Sequence, residues 1–112
     1  MPSDKNLKGE CKMKAKETKI LEAVVSGKVK WDENRTFEAP VRFTMHPSGR
    51  EQEYGTGYYM AVEVLGKNPI EIAHYDMRYI GTSDIEKASR IAANEYWGEN
   101  LEEFKIVKTY TK

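Results

Sequence analysis

The chain has 112 residues, which is enough for one domain with one modest hydrophobic core. Its 18 basic and 18 acidic side chains give a net charge of zero, which argues against a nucleic-acid-binding protein because such proteins usually carry a basic excess. The single cysteine, Cys11, excludes an intramolecular disulfide framework and an all-cysteine metal site. No apolar run is long enough to span a membrane, and the N-terminus lacks the apolar region of a secretory signal, so we expect a cytoplasmic protein.

The beginning of the sequence is rich in lysine and poor in apolar residues. Residues 1–16 include Pro2, Gly9 and mostly polar side chains, a composition typical of disordered segments. We interpret them as a disordered or loosely attached basic tail, and residues 17–112 as a single α+β domain.

Residues 17–31 fit either a strand or a helix. Ile20, Leu21 and Val24 recur at a spacing that suits one helix face, whereas the valines and Trp31 are typical of a strand. We favour a strand over residues 23–31, followed by a turn at residues 32–35.

Alternation of apolar and polar side chains predicts further strands at residues 41–45, 58–65, 70–79 and 104–111. The sequence Gly66-Lys67-Asn68-Pro69 is a turn signal, so the two strands around it should form an antiparallel hairpin.

The helix between the last two strands has the clearest start and end in the chain. Ser83 and Glu86 have the spacing of a capping box, so the helix should begin at Asp84 and continue to Trp97. Gly98 follows as a residue that can adopt a positive φ and end the helix. The side chains that we expect to face the sheet are Ile85, Ala88, Ser89, Ala92 and Tyr96.

These elements predict a two-layer α+β fold. It consists of a mostly antiparallel sheet of four to five strands, with one main helix packed on one face. If the final strand were to lie parallel to residues 72–79, the crossover between them should be right-handed.

The first candidate binding surface lies at the end of the helix. Trp97 falls away from the predicted buried stripe and near Arg90, and aromatic residues together with arginine are enriched at binding hot spots. The alternative is that Trp97 folds back against Leu101, Phe104 or the sheet edge. An acidic cluster lies nearby and is either a solvated face or a docking surface for a basic partner: Glu95, Glu99, Glu102 and Glu103.

The second candidate surface is the polar face of residues 72–79. There, His74, Asp76 and Arg78 would form a row with a spacing of about 7 Å, and the neighbouring strand would add Tyr59 and Glu63. This face is either an ordinary solvated sheet surface or a platform on which bases stack. A metal or acid–base site at His74, Asp76 and Glu63 is a third interpretation, with no obvious further ligand.

We therefore expect a small non-catalytic protein-interaction module, such as a regulator or inhibitor of a larger macromolecule, with no cofactor and no membrane partner. The alternative is a nucleic-acid-binding protein that uses the polar sheet face and the basic tail, and a metal-dependent enzyme comes third. In its size, its charged tail and its strand–helix–strand ending, the chain resembles small accessory proteins of phages and other mobile elements. No motif assigns it to a family.

Overall fold

The computed structural model describes residues 17–47, 58–76 and 82–112, so the predicted tail lies outside the described residues. Within these ranges the chain forms five strands, one α-helix and one 3-10 turn. In chain order they are β1 (Lys19–Val29), β2 (Asp32–Pro47), β3 (Tyr58–Val64), β4 (Ile70–Asp76), α1 (Ile85–Trp97), the 3-10 turn (Gly98–Asn100) and β5 (Leu101–Thr111).

The described strands form one sheet with the order β4-β3-β2-β1-β5. All neighbouring strands are antiparallel. The first four strands form a meander, and α1 then returns the chain to the other side of β1, where β5 pairs. The predicted α+β class, with a five-stranded antiparallel sheet and one helix, is confirmed. The parallel crossover does not arise, because three strands separate β4 from β5.

Within the ambiguous segment at residues 17–31, residues 19–29 form a strand, and the turn after it lies earlier than the sequence predicts. The connection between β1 and β2 is the pair Lys30 and Trp31, and β2 already begins at Asp32. The hairpin turn was predicted at residues 32–35, and this position is wrong, although residues 33–35 have no partner on β1 and the N–H of Asn34 donates to Asp32 Oδ1 at 3.0 Å. Antiparallel strands joined by two residues form a tight hairpin, and here the ladder shifts register at Val29, beside the turn.

The hydrophobic core lies on one face of the sheet. Its residues follow the period-two alternation of the strands, as predicted for residues 41–45 and 58–64, and the ring of Phe43 contacts that of Phe104 at 5.6 Å between centroids. Burying a side chain of this size stabilises the fold by about 1.5–3 kcal/mol. The inward-facing residues of β1, β2 and β3 are Leu21, Ala23, Val25, Val41, Phe43, Met45, Tyr58, Met60 and Val62.

Asp84 caps the N-terminus of α1. Its Oδ1 accepts the backbone N–H of Glu86 at 2.9 Å and of Lys87 at 3.3 Å. The predicted cap at Ser83 is wrong, because the carboxylate one residue later is the stronger acceptor and also interacts favourably with the helix dipole. The carbonyl of Ser83 instead accepts a hydrogen bond of 2.9 Å from Lys19 Nζ.

Small side chains line the buried face of α1, and they belong to the same hydrophobic cluster as the sheet residues. The prediction that Tyr96 belongs to this face is wrong, since its side chain is 45% exposed. Trp97 packs against the core instead, where its ring stacks on that of Phe37. The buried residues of α1 are Ala88, Ser89, Ala92 and Ala93.

Two glycines determine where the end of α1 lies. Gly98 has a φ of 61°, and its N–H donates to the carbonyl of Asn94, so it ends the helix as predicted. Gly27 of β1 allows a close approach, because a Cβ at this position would lie 1.9 Å from the carbonyl oxygen of Asn100. The 3-10 turn is thereby held directly against β1, beside the β1–β2 hairpin.

Candidate functional site

The two most exposed aromatic side chains of the described residues lie at the same end of the sheet. Trp31, in the β1–β2 turn, is 82% exposed, and Tyr96 in the last turn of α1 is 45% exposed. Together with Phe37 and Trp97 they line a cleft of about 740 Å³. We call this site the aromatic cleft.

The inner wall of the aromatic cleft consists of the rings of Phe37 and Trp97, which contact each other. Trp97 is half-buried and stacks on Phe37 of β2, with 6.0 Å between ring centroids and 17° between planes. Tyr96 packs edge-on against Trp97 at 4.9 Å. Each such pair stabilises the structure by about 0.5–1.5 kcal/mol beyond the burial of its area. Trp97 therefore folds back onto the core and also lines the cleft.

The two sides of the cleft carry opposite charges. Lys28 and Lys30 line it from the hairpin, and Glu95 and Glu99 line it from the end of α1. The C-terminal end of the helix adds partial negative charge, and the last turn of α1 contains no basic residue. Burial raises the pKa of Tyr75 on β4, and the negative charge of Glu95 raises it further. The helix side of the cleft is thus electronegative.

The other residues predicted for the helix surface lie outside the lining of the aromatic cleft. Arg90 Nη2 forms an exposed ion pair of 3.3 Å with Glu86, and its guanidinium lies 4.8 Å from the ring centroid of Phe104. Glu102 and Glu103 are exposed on β5. The structure therefore brings Glu95 and Glu99 together with Trp97 but places Arg90 elsewhere on α1.

On the opposite face of the sheet, the structure brings Tyr59 and His74 together. The ring of Tyr59 lies 5.0 Å from His46 on one side and 5.0 Å from His74 on the other. The ladder between β3 and β4 pairs Tyr59 with Asp76. Arg78 lies outside the described residues.

The remaining charges on this polar face are largely paired. Arg42 Nε donates to Glu63 at 3.0 Å, which raises the pKa of Arg42. The Tyr110 hydroxyl donates to Glu22 at 2.7 Å, and this hydrogen bond raises the pKa of Tyr110. Lys108 lies 4.0 Å from the same Glu22 carboxylate. Among the described side chains of this face, these pairs balance positive and negative charge, as on an ordinary solvated sheet face.

Among the described residues, no group of three His, Cys, Asp or Glu side chains is close enough to hold a metal ion. In the same part of the chain, no helix has the length and apolar character needed to cross a membrane. No family model matches the chain, and no curated protein or solved structure shows a significant match.

Sequence reasoning missed the residues that line the hairpin side of the aromatic cleft, Trp31, Phe37 and two lysines, and it placed Tyr96 on the buried face of α1. The signal was present but depends on the position of the turn. Once strands are drawn on both sides of residues 30–31, Trp31 lies at the hairpin tip, where it has no strand neighbour to pack against. With the turn placed at residues 32–35, the same tryptophan is assigned to the end of a strand.

Proposed function

We propose that this protein is a non-catalytic interaction module that binds another protein through the aromatic cleft. The observation that carries this proposal is the exposure of Trp31, 82% accessible at the rim of a cleft already walled by aromatic rings. Exposed tryptophan and tyrosine beside a formed pocket are typical of binding hot spots. Such a module acts as a regulator or inhibitor by covering a surface of its larger partner.

Charge favours a protein over a nucleic acid as the occupant of this site. Glu95 and Glu99 line the helix side of the cleft, and both side chains are exposed. These two carboxylates would repel a phosphate backbone, whereas they complement a basic protein surface.

Site-specific photo-crosslinking tests the proposal. A photoreactive benzoyl-phenylalanine replaces Trp31 in the full chain, and the matched control carries it at Val107, which is 61% exposed on β5 and outside the cleft lining. We expect one partner to crosslink from position 31 and not from position 107. With the purified partner, Trp31→Ala should weaken binding about 30-fold, which corresponds to roughly 2 kcal/mol for a hot-spot residue. Equal crosslinking from both positions, or unchanged affinity of Trp31→Ala, would refute the proposal.

The row formed by His46, Tyr59 and His74 favours a second candidate function, the binding of single-stranded nucleic acid on the polar face. Base stacking on such rings contributes about 1–3 kcal/mol per base. The discriminating measurement is fluorescence anisotropy with mixed-sequence DNA and RNA oligonucleotides of 20 nucleotides. Binding that weakens steeply with salt and is lost in Tyr59→Ala would support this candidate, and no binding at low salt would eliminate it.

A further inference from the structure

We infer that the aromatic cleft binds the guanidinium group of an arginine side chain on the partner protein. This inference rests on the proposed function and adds the chemistry that the cleft recognises. It follows from three independent features: the aromatic lining, the charge of the helix side, and a contact of the same kind elsewhere on α1.

The aromatic lining favours a cation over an anion. Trp31, Phe37, Tyr96 and Trp97 all line the cleft. The face of an aromatic ring carries negative charge density, so it attracts a cation placed within about 6 Å of its centroid. The same ring faces would repel an anionic group that entered the cleft.

The helix side of the cleft supplies negative charge without an internal counter-ion in the last turn. Glu95 and Glu99 lie beside the C-terminal end of α1, where the helix dipole favours cations, and no basic residue occupies that turn. Lys28 and Lys30 lie on the hairpin side with exposed side chains. Their apolar stems can lie along the rings while their charged ends remain in water. In this arrangement the lysines do not pair with Glu95 and Glu99, which can then bind the ligand.

The protein already uses the expected contact once, on the same helix. The guanidinium of Arg90 lies over the ring of Phe104 at 4.8 Å and pairs with Glu86 at 3.3 Å. Arginine is better suited to this arrangement than lysine, because its planar guanidinium stacks on a ring while its N–H groups donate to a carboxylate.

The test is an NMR titration of the isotopically labelled full chain with Nα-acetyl-arginine amide. The matched probe is Nα-acetyl-citrulline amide, which has nearly the same shape but no charge. We expect saturable shifts of the indole N–H signals of Trp31 and Trp97 with the arginine probe and not with citrulline. The double variant Glu95→Gln/Glu99→Gln should weaken binding about fivefold, in line with two exposed ion pairs. Glu102→Gln removes one exposed negative charge of β5 outside the cleft and should change binding less than about twofold.

Three results would overturn the inference. Equal shifts with arginine and citrulline would show that the cleft takes an uncharged planar group. Stronger binding of Nα-acetyl-glutamate amide, lost in Lys28→Gln/Lys30→Gln, would show that it takes an anion. If the crosslinked partner depends on Trp31 but the arginine probe produces no saturable shift, the inference fails and the proposed function stands. If the probe binds and the partner is indifferent to Trp31→Ala, the proposed function fails instead.

Discussion

Replacing Gly27 with alanine is the most direct perturbation of the contact that places the two sides of the aromatic cleft next to each other. An added Cβ would lie 1.9 Å from the carbonyl oxygen of Asn100, 2.9 Å from its carbonyl carbon and 3.1 Å from the backbone nitrogen of Glu102. All three are backbone atoms, so no change of side-chain rotamer relieves the overlap.

The size of the effect follows from the distance that the two backbones must move. Since Cβ atoms essentially never approach other heavy atoms closer than 3.0 Å, β1 and the 3-10 turn would have to separate by about 1 Å. Overpacking of buried sites typically costs about 1–3 kcal/mol. Because both partners here belong to hydrogen-bonded backbone, we expect about 3 kcal/mol for Gly27→Ala, at the upper end of that range.

Urea unfolding followed by far-UV circular dichroism and tryptophan fluorescence measures this change. Thermal unfolding gives a second measure of the same change. A loss of about 3 kcal/mol should lower the thermal midpoint by roughly 12 °C in a domain of this size. Gly66→Ala is the matched control, because Gly66 is exposed and no atom lies within 4 Å of its added Cβ. This control should be neutral, or more stable by up to about 1 kcal/mol through the reduced entropy of the unfolded chain.

A Gly27→Ala variant as stable as the wild type, with an unchanged dependence on urea, would refute this reasoning. That result would mean that the 3-10 turn and β5 can move away from β1 at no cost. The turn would then not hold the end of α1 in place, and the aromatic cleft would be adjustable instead of preformed.

Three further changes give definite expectations. The Ser89 hydroxyl is fully buried with no hydrogen-bond partner among the described residues, so Ser89→Ala should raise the free energy of unfolding by about 1 kcal/mol, and a lower urea midpoint would contradict this. Gly98→Ala places a Cβ at a φ of 61° and should destabilise by about 1–2 kcal/mol in the same assay. The hydrogen bond to Glu22 raises the pKa of Tyr110, so its contribution to stability is complete below the ordinary tyrosine pKa near 10 and is lost as the pH rises through the folded-state value. In NMR titrations Glu22→Ala should lower that pKa, and an unchanged titration would exclude the hydrogen bond as its cause.

Local patterns predicted the parts of the fold that depend on local physics. The alternation at residues 41–45 and 58–64 identified the inward-facing side chains, because neighbouring residues of a strand point to opposite faces. The glycine after α1 was predicted because a positive φ suits glycine. The pairing of β5 with β1 was not predictable in the same way, since both edges of the meander offer unpaired backbone groups and no local pattern distinguishes them.

Competition between local preference and pairing explains the misplaced turn. The polar run at residues 32–35 has low strand propensity, and it was assigned to a turn for that reason. In the structure Asp32 pairs with Val29 and Thr36 pairs with Lys28, so the ladder fixes the hairpin turn at residues 30–31 and leaves residues 33–35 in β2 without a partner on β1. Displacing the turn by two residues also removed Trp31 from the hairpin tip, which is why the candidate site was only half predicted.

The end of α1 shows a second limit of sequence patterns. Tyr96 and Trp97 both lie within reach of the buried stripe, and the helical period alone does not decide between them. The neighbouring strand determines which of the two rings is buried. Trp97 stacks on the ring of Phe37 in β2, whereas Tyr96 packs edge-on against Trp97 from the solvent side. Identifying the inner wall of the cleft therefore required knowing which strand lies under the helix end.

The aromatic cleft combines a fixed inner wall with a free outer residue, and this division has consequences for binding. The stack of Phe37 on Trp97 and the close approach of Gly27 to Asn100 are contacts of the fold itself, so a partner does not have to supply them. The conformational entropy lost on binding then falls mainly on Trp31 and the exposed lysines of the hairpin. It follows that Trp31→Ala should weaken binding while leaving the urea midpoint unchanged. Gly27→Ala should lower the urea midpoint, and it should weaken binding only because the inner wall of the cleft is displaced.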